Sequence, residues 1–393
     1  MNPLKFLQAL QDRTPLGFKQ LKHDPVRLLT AIAGITFADI LIFMQLGFSD
    51  ALYRSNTQYP RKIQADIVLV NPQSDNFNTL KSIPRRRLYQ AQDVLGVEDV
   101  NVMYVGSKEW RNPQTLEKSS LMVIGQELDR PAFDIPGVGE QLNAAQLPDH
   151  VLFDQKARGD YTDMIALVQA GELVSTEMGS RTVTVAGLFE LGASFADDGA
   201  LITSEQNFLR LFPRQSAGEV DIGLIWIDPT ADPEQVRADL AAHLPEDVAV
   251  YTQTGFVDHA VAQIQGDSPI GVVFGVGSAM GFIVGVVIVY QVLSTDVNSH
   301  LAEYATFKAM GYRNGYLLGV VFEEALILSV LGFLPSILVA MGLYQLIVVA
   351  AALPMAMPVS RMVTVFVLTL IMCNGSGAIA TRRLQAADPA DIF

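Results

Sequence analysis

Residues 268–295, SPIGVVFGVGSAMGFIVGVVIVYQVLST, contain no Asp, Glu, Lys or Arg. About 20 apolar residues at 1.5 Å rise each cross a hydrocarbon core roughly 30 Å thick, so this stretch is long enough to span a membrane as a helix. Two more stretches, 325–360 and 362–381, are equally free of charge and are separated only by Arg361. A fourth, 28–48, is broken only by Asp39. The whole chain of 393 residues is 50% hydrophobic and 17% charged, against roughly a quarter charged in average soluble proteins. The expectation is a multi-pass α-helical membrane protein with four spans.

The first apolar segment reads as a permanent helix and not a cleaved signal, because 27 residues precede it, Asp39 sits inside it and no A-x-A site follows. Four spans place both termini on one side. The parts on that side, residues 1–27, 294–318 and 381–393, hold nine Lys and Arg, whereas 49–270 carries 17 basic and 32 acidic residues. By the positive-inside rule the termini are cytoplasmic and the long segment is periplasmic. A net charge of -14 also excludes a chain whose main task is gripping nucleic-acid phosphates. The single cysteine, Cys373, rules out an intrachain disulfide, a zinc ribbon and CxxC redox chemistry.

These signals divide the chain into a cytoplasmic amphipathic elbow (1–27), a first span (28–48), a periplasmic α+β domain (49–270), a second span (271–293), a cytoplasmic loop with a short helix (294–318), a third span with its cytoplasmic extension (319–349), a short periplasmic loop (350–361), a fourth span (362–380) and a cytoplasmic tail (381–393). Within the external domain, strand-like runs occur at 65–70, 100–105, 120–125, 181–189, 220–227 and 248–251, with helical spacing at 83–96, 203–212 and 232–244. Asp232 followed by Pro233 is a helix start, as is Asp24 followed by Pro25. In 295–315, Asn298 or Ser299 is read as the cap of a short helix that ends at Gly311.

Within the spans, Gly277, Gly281 and Gly285 recur every four residues and form a close-packing seam, either between protomers or within one. Asp39 is costly, at about 2.5 to 3.5 kcal/mol for a carboxylate at mid-span. It faces protein or water, either as a contact that changes during a functional cycle or as a hydrogen-bonded structural acid. Glu324 lies a turn or two into the third span. The pairs His150 and Asp154, His243 and Asp247, and Asp258 and His259 lack a third ligand or an HExxH frame, so no catalytic or metal-ligating set is expected. Arg85, Arg86 and Arg87 form the basic cluster of an acidic domain, read as a solvated helix start with a docking point for a partner as the alternative.

The run AEYATFKAMGYRNGYLLGVVFEEALILSVLG (302–332) resembles the signature of FtsX-like and MacB-like ABC transporter permeases, matching at Glu303, Lys308, Ala309, Met310, Gly311, Glu324 and Ala325. The closing RRLQAADPADIF (382–393) is similar to the end of that family. GITFADILIFMQLGF (34–48) and QADIVLVNPQ (64–73) resemble the DevC-like branch found in tripartite exporters. The resemblance implies a homodimer of four-span protomers in the inner membrane. Its cytoplasmic helix, with Glu303, Tyr304, Phe307, Lys308, Ala309, Met310 and Gly311, would meet a separate DevA-like ATPase. It further implies a DevB-like adaptor, a TolC-like outer-membrane channel and an envelope glycolipid as cargo. The chain itself has no GxxxxGK[ST] phosphate loop, so no cofactor is expected here and ATP and magnesium belong to the partner. The rival readings are an FtsX-like signalling subunit acting on a cell-wall hydrolase, a LolCDE-like lipoprotein extractor and a membrane-tethered enzyme.

Overall fold

The computed structural model describes residues 24–386 except 75, 76, 78, 136, 137, 267, 268, 301, 302, 304, 305, 307–309, 311–313, 352 and 354. The chain forms two compact units. One is helical and draws on residues 1–49, 272–346 and 355–393; the other is residues 50–271 with 347–354.

Four long helices make the first unit's frame: Pro25–Thr57, Pro269–Ser299, Asn314–Ala351 and Val359–Ala386. All four are long and apolar enough to cross a membrane. Their outward faces carry exposed apolar side chains at helical spacing, for example Val272, Val276, Met280, Ile283 and Val287 on the second. In water such stripes would be aggregation surfaces; in a bilayer they face a solvent as apolar as themselves. The chain is thus a multi-pass membrane protein with a large α+β domain outside the membrane.

Each helix runs past its apolar stretch. The first starts at Pro25, where Asp24 Oδ1 accepts the Arg27 N–H at 3.1 Å, as the Asp-Pro pair predicts. The last three residues of the expected elbow are therefore the first turn of the first span. Residues 1–23, the rest of that elbow, lie outside the described residues. The second helix continues to Ser299, whose hydroxyl bonds back to Thr295 O (3.1 Å) and Asp296 O (2.9 Å) of its own helix. Ser299 is therefore not the cap of a separate cytoplasmic helix, because it is still occupied inside the preceding one.

The second unit, among its described residues, has strands β1 (Ile67–Val70), β2 (Ile83–Pro84), β3 (Val97–Arg111), β4 (Lys118–Gln126), β5 (His150–Asp154), β6 (Val174–Met178), β7 (Arg181–Phe189), β8 (Ala200–Ser204), β9 (Glu219–Val220), β10 (Ile222–Ile227) and β11 (Ala249–Thr252). Its principal helices are α1 (Arg86–Ala91), α2 (Thr162–Gln169), α3 (Glu205–Leu211), α4 (Pro233–His243) and α5 (Gln253–Gly266). The strand order β11-β1-β10-β3 is antiparallel throughout. With α1 between β1 and β3 and α4 between β10 and β11, this is a β-α-β-β-α-β split fold. Gly223 in β10 lets α1 approach, since a Cβ there would sit 2.6 Å from Leu88 Cδ2.

Strand β3 is shared between two sheets' worth of pairing. Its first half pairs with β10 and its second half, from Met103 to Arg111, with β4. From there the order β3-β4-β8-β5-β7-β6 returns to β3 through Trp110↔Met178, closing a six-stranded barrel. The barrel is an insertion between the third and fourth elements of the split fold. Trp110, Phe153 and Tyr161 pack together inside it, the first pair tilted and the second edge to face, at centroid distances of 5.4 and 4.9 Å. The alternating β7 run has every second residue from Val183 buried, as a period of two requires.

Candidate functional site

The spans hold their polar side chains in layers. At one end Arg27 of the first span donates to Asp296 Oδ1 (2.6 Å) and Ser299 Oγ (3.1 Å) of the second. Glu324 of the third span, fully buried, lies beside Asp296 and within electrostatic reach of Arg27. Three helices thus share one charged knot. Glu324 is consequently an interhelical residue.

Twelve residues along, or about 18 Å of helix, lies the second layer. Asp39 is fully buried; its Oδ1 is 2.8 Å from Thr369 Oγ1 on the fourth span and its Oδ2 is 3.4 Å from Ser336 Oγ on the third. Nearby, Thr36 Oγ1 donates to Gly332 O at 3.0 Å. Between the two layers lies an apolar slab that includes Ile35, Ala38, Val289, Leu328 and Met372. A third layer joins Tyr344, which donates to Phe43 O, with Arg361, whose Nη1 donates to Ala356 O at 2.7 Å. Arg361 breaks the expected charge asymmetry, and its burial explains this: it serves the bundle and the short loop instead of the aqueous phase.

The glycine seam packs within the protomer. A Cβ on Gly277 would meet Gln45, on Gly281 Ile42 and Leu41, and on Gly285 Met372 Sδ and Ala38. The seam therefore seats the second span on the first, with the fourth reaching Gly285. Gly275, by contrast, has nothing within 4 Å of its Cβ position.

Of the coupling segment, Glu303 and Thr306 are helical and exposed, and Met310 is 61% exposed with its N–H bonded to Thr306 O at 3.0 Å. Tyr304, Phe307, Lys308, Ala309 and Gly311 lie outside the described residues.

In the external domain several of the noted acids and bases have structural tasks. His150 contacts Pro148 O, while Asp154 accepts the N–H groups of Lys156, Leu191 and Gly192. Burial still leaves the Asp154 carboxyl above the usual carboxylate range, despite those donors. Asp247 forms a bidentate pair with Arg87, whose guanidinium holds it below that range. His259 stacks on Tyr251 with ring centroids 4.8 Å apart. Arg85 bonds Glu205 and Glu127, so only Arg86 of the three arginines is a solvated side chain. Among the described residues no group of three His, Cys, Asp or Glu is placed to hold a metal ion.

Sequence reasoning located Asp39 and Glu324 but not Arg27, Asp296, Ser336 and Thr369 as their neighbours. The available signal was the isolated polar residue within each apolar stretch, and the Pro335-Ser336 step in particular.

Fold and layers define a polytopic membrane protein whose spans are tied by buried polar contacts. Residues 275–389 match the family described as FtsX-like permease C-terminal. No curated protein sequence matches the chain. The extracellular domain of the noncanonic ABC-type transporter YknZ from Gram-positive bacteria aligns at 12% identity and a TM-score of 0.33, over 48% of this chain and 100% of that one. The periplasmic region of MacB from Actinobacillus actinomycetemcomitans aligns at 9% identity and a TM-score of 0.32, over 50% and 93%. Scores this low do not establish a common fold.

Proposed function

We propose that this chain is the membrane permease subunit of an ATP-driven ABC exporter. The observation that carries the reading is the match of residues 275–389 to the FtsX-like permease C-terminal family. In this reading a separate DevA-like ATPase binds ATP and magnesium, and its closure pushes the cytoplasmic segment around Glu303 to Met310. The charged knot of Arg27, Asp296 and Glu324 lies at the end of the spans nearest that segment in sequence and passes the push to three helices together. The termini are cytoplasmic in the inner membrane, the α+β domain is periplasmic, and the chain works as a homodimer with a DevB-like adaptor and a TolC-like duct. The cargo is an envelope glycolipid.

The test is co-purification and turnover. The chain alone is expected to hydrolyse no ATP and to bring down an ATPase subunit. Glu303→Lys reverses an exposed charge, so the variant should insert normally yet lose ATPase co-purification. Full complex formation by Glu303→Lys would remove this segment from the contact. The same family match suits an FtsX-like signalling subunit. A deletion strain with unchanged lipid and secreted-metabolite profiles but defective wall cleavage would favour that reading over export.

A further inference from the structure

We propose that Arg27 is a switch between two acids, bound to Asp296 of the second span in this structure and to Glu324 of the third span in a second arrangement of the bundle. The inference concerns the spans alone and does not depend on the identity of the transport partners.

Glu324 is the residue that calls for a second arrangement. It is 0% exposed, and neither of its carboxyl oxygens has a hydrogen-bond donor among the described residues. A buried acceptor in this state has given up its hydration with nothing in return, and a buried carboxylate gives up more than a neutral group. The side chain it meets, Asp296, is an acid too and only 4% exposed. Asp296 Oδ1 accepts from Arg27 Nη1 at 2.6 Å, while Oδ2 has no hydrogen bond and only His300 Nδ1 at 3.7 Å. Two carboxyl groups therefore compete for one guanidinium, and Glu323 adds a third negative charge within electrostatic reach.

Arg27 has the means to change partner. Among the described residues its side chain contacts Asp24 at the start of its own helix and Thr295 O, Asp296 and Ser299 of the second span, with no hydrogen bond to the third. Its Nη2 makes one long contact, 3.5 Å to Thr295 O, so the fork has N–H donors to spare. A guanidinium carries five such donors on a flexible arm and fits a carboxylate with two parallel bonds. Because Asp296 touches both Arg27 and Glu324, the guanidinium reaches either acid from the position of its own helix. Its choice decides which neighbour the first span is tied to, the second through Asp296 or the third through Glu324. One charge with two competing partners on different helices is a bistable element, and whatever shifts the second span against the third biases it.

The test uses the full-length chain in phosphatidylcholine nanodiscs. The cost of Arg27→Gln in melting temperature is measured in the wild type, in Asp296→Asn, in Glu324→Gln and in the variant that carries both acid substitutions. If Arg27 transfers, the substitution still costs about 4 °C or more in Asp296→Asn, where Glu324 alone is left to hold it, and nothing where both acids are neutral. Spin labels at the exposed positions Val26 and Asn298, and at Val26 and Leu326, in a Cys373→Ser background report which neighbour the first span follows. The distance from 26 to 326 should be shorter, and that from 26 to 298 longer, in Asp296→Asn than in Glu324→Gln. Absence of a cost in the Asp296→Asn background, or identical distances in the two variants, would overturn the proposal; Arg27 then belongs to Asp296 alone and the two acids share a proton. Arg27→Lys keeps the charge without the fork and carries the cycle if Arg27→Gln fails to assemble.

Discussion

Asp197 illustrates how single residues in the external domain respond to their surroundings. Its carboxylate accepts the hydroxyls of Ser107 (3.0 Å) and Ser120 (2.9 Å), yet burial, with a smaller push from Asp198, raises it above the ordinary aspartate range. A raised acid binds more protons in the folded than in the unfolded chain between the unfolded value, about 3.9, and its folded value. Its contribution to stability is therefore greatest below about 3.9 and declines as pH rises through the folded value. Asp197→Asn removes this dependence. The melting temperature of the variant, measured by scanning fluorimetry across that window, should gain on the wild type as pH rises. A constant difference would mean that Asp197 titrates as if exposed. At the knot in the spans, Arg27→Gln removes the close partner of the 6%-exposed Asp296 carboxylate and leaves it only His300 Nδ1 at 3.7 Å. Breaking a buried pair in this way costs about 3 to 5 kcal/mol. Arg27→Gln should melt well below the wild type in detergent, and adding Asp296→Asn should recover much of the loss.

Between elements, the contact geometry ranks the glycines of the second span. A Cβ on Gly285 would overlap Met372 Sδ at 2.1 Å and Ala38 at 2.9 Å, whereas on Gly281 its nearest neighbour is 3.3 Å away. Overpacking of the first kind typically costs about 1 to 3 kcal/mol. Gly285→Ala should therefore lower the thermal stability of the purified chain clearly and Gly281→Ala only slightly. Gly277→Ala falls between, because Gln45 is flexible and can swing aside. Equal effects at all three would show that the helices adjust as a rigid pair. In the external domain, the barrel rests on strands that were only partly legible. Runs such as RTVTVAGLF carry a clean period of two, whereas β5, β6 and β8 are five residues each and went unread. A short, fully buried strand such as ALITS has no alternation, because both its faces meet protein.

For the molecule as a whole, the placement of charge predicts sidedness. Cysteines at Glu172, in the external domain, and at Met310, in the segment between the second and third spans, are both exposed positions. In a Cys373→Ser background, an impermeant maleimide added to intact cells should label the first and spare the second until the cells are opened. Labelling of both in sealed cells would contradict cytoplasmic termini.

Number and order of the spans, and the presence of a large α+β domain between the first and second, followed from the sequence alone. Runs without charge are a one-dimensional signal, and the physics of the bilayer acts on them locally. The helix starts at Asp24 and Asp232 were legible for the same reason, since a cap and its proline are neighbours in the chain. What only the tertiary structure decided is which distant residues meet. Asp39 and Thr369 are 330 positions apart and Arg27 and Asp296 are 269 apart, and no periodicity within one helix encodes the rotation of its neighbour. The insertion of a closed barrel into a split β-α-β-β-α-β frame was equally hidden, because the closing pair Trp110↔Met178 and the shared strand β3 are set by long-range hydrogen bonds. Local propensity specifies that a strand forms, and only packing of the whole chain selects its partner.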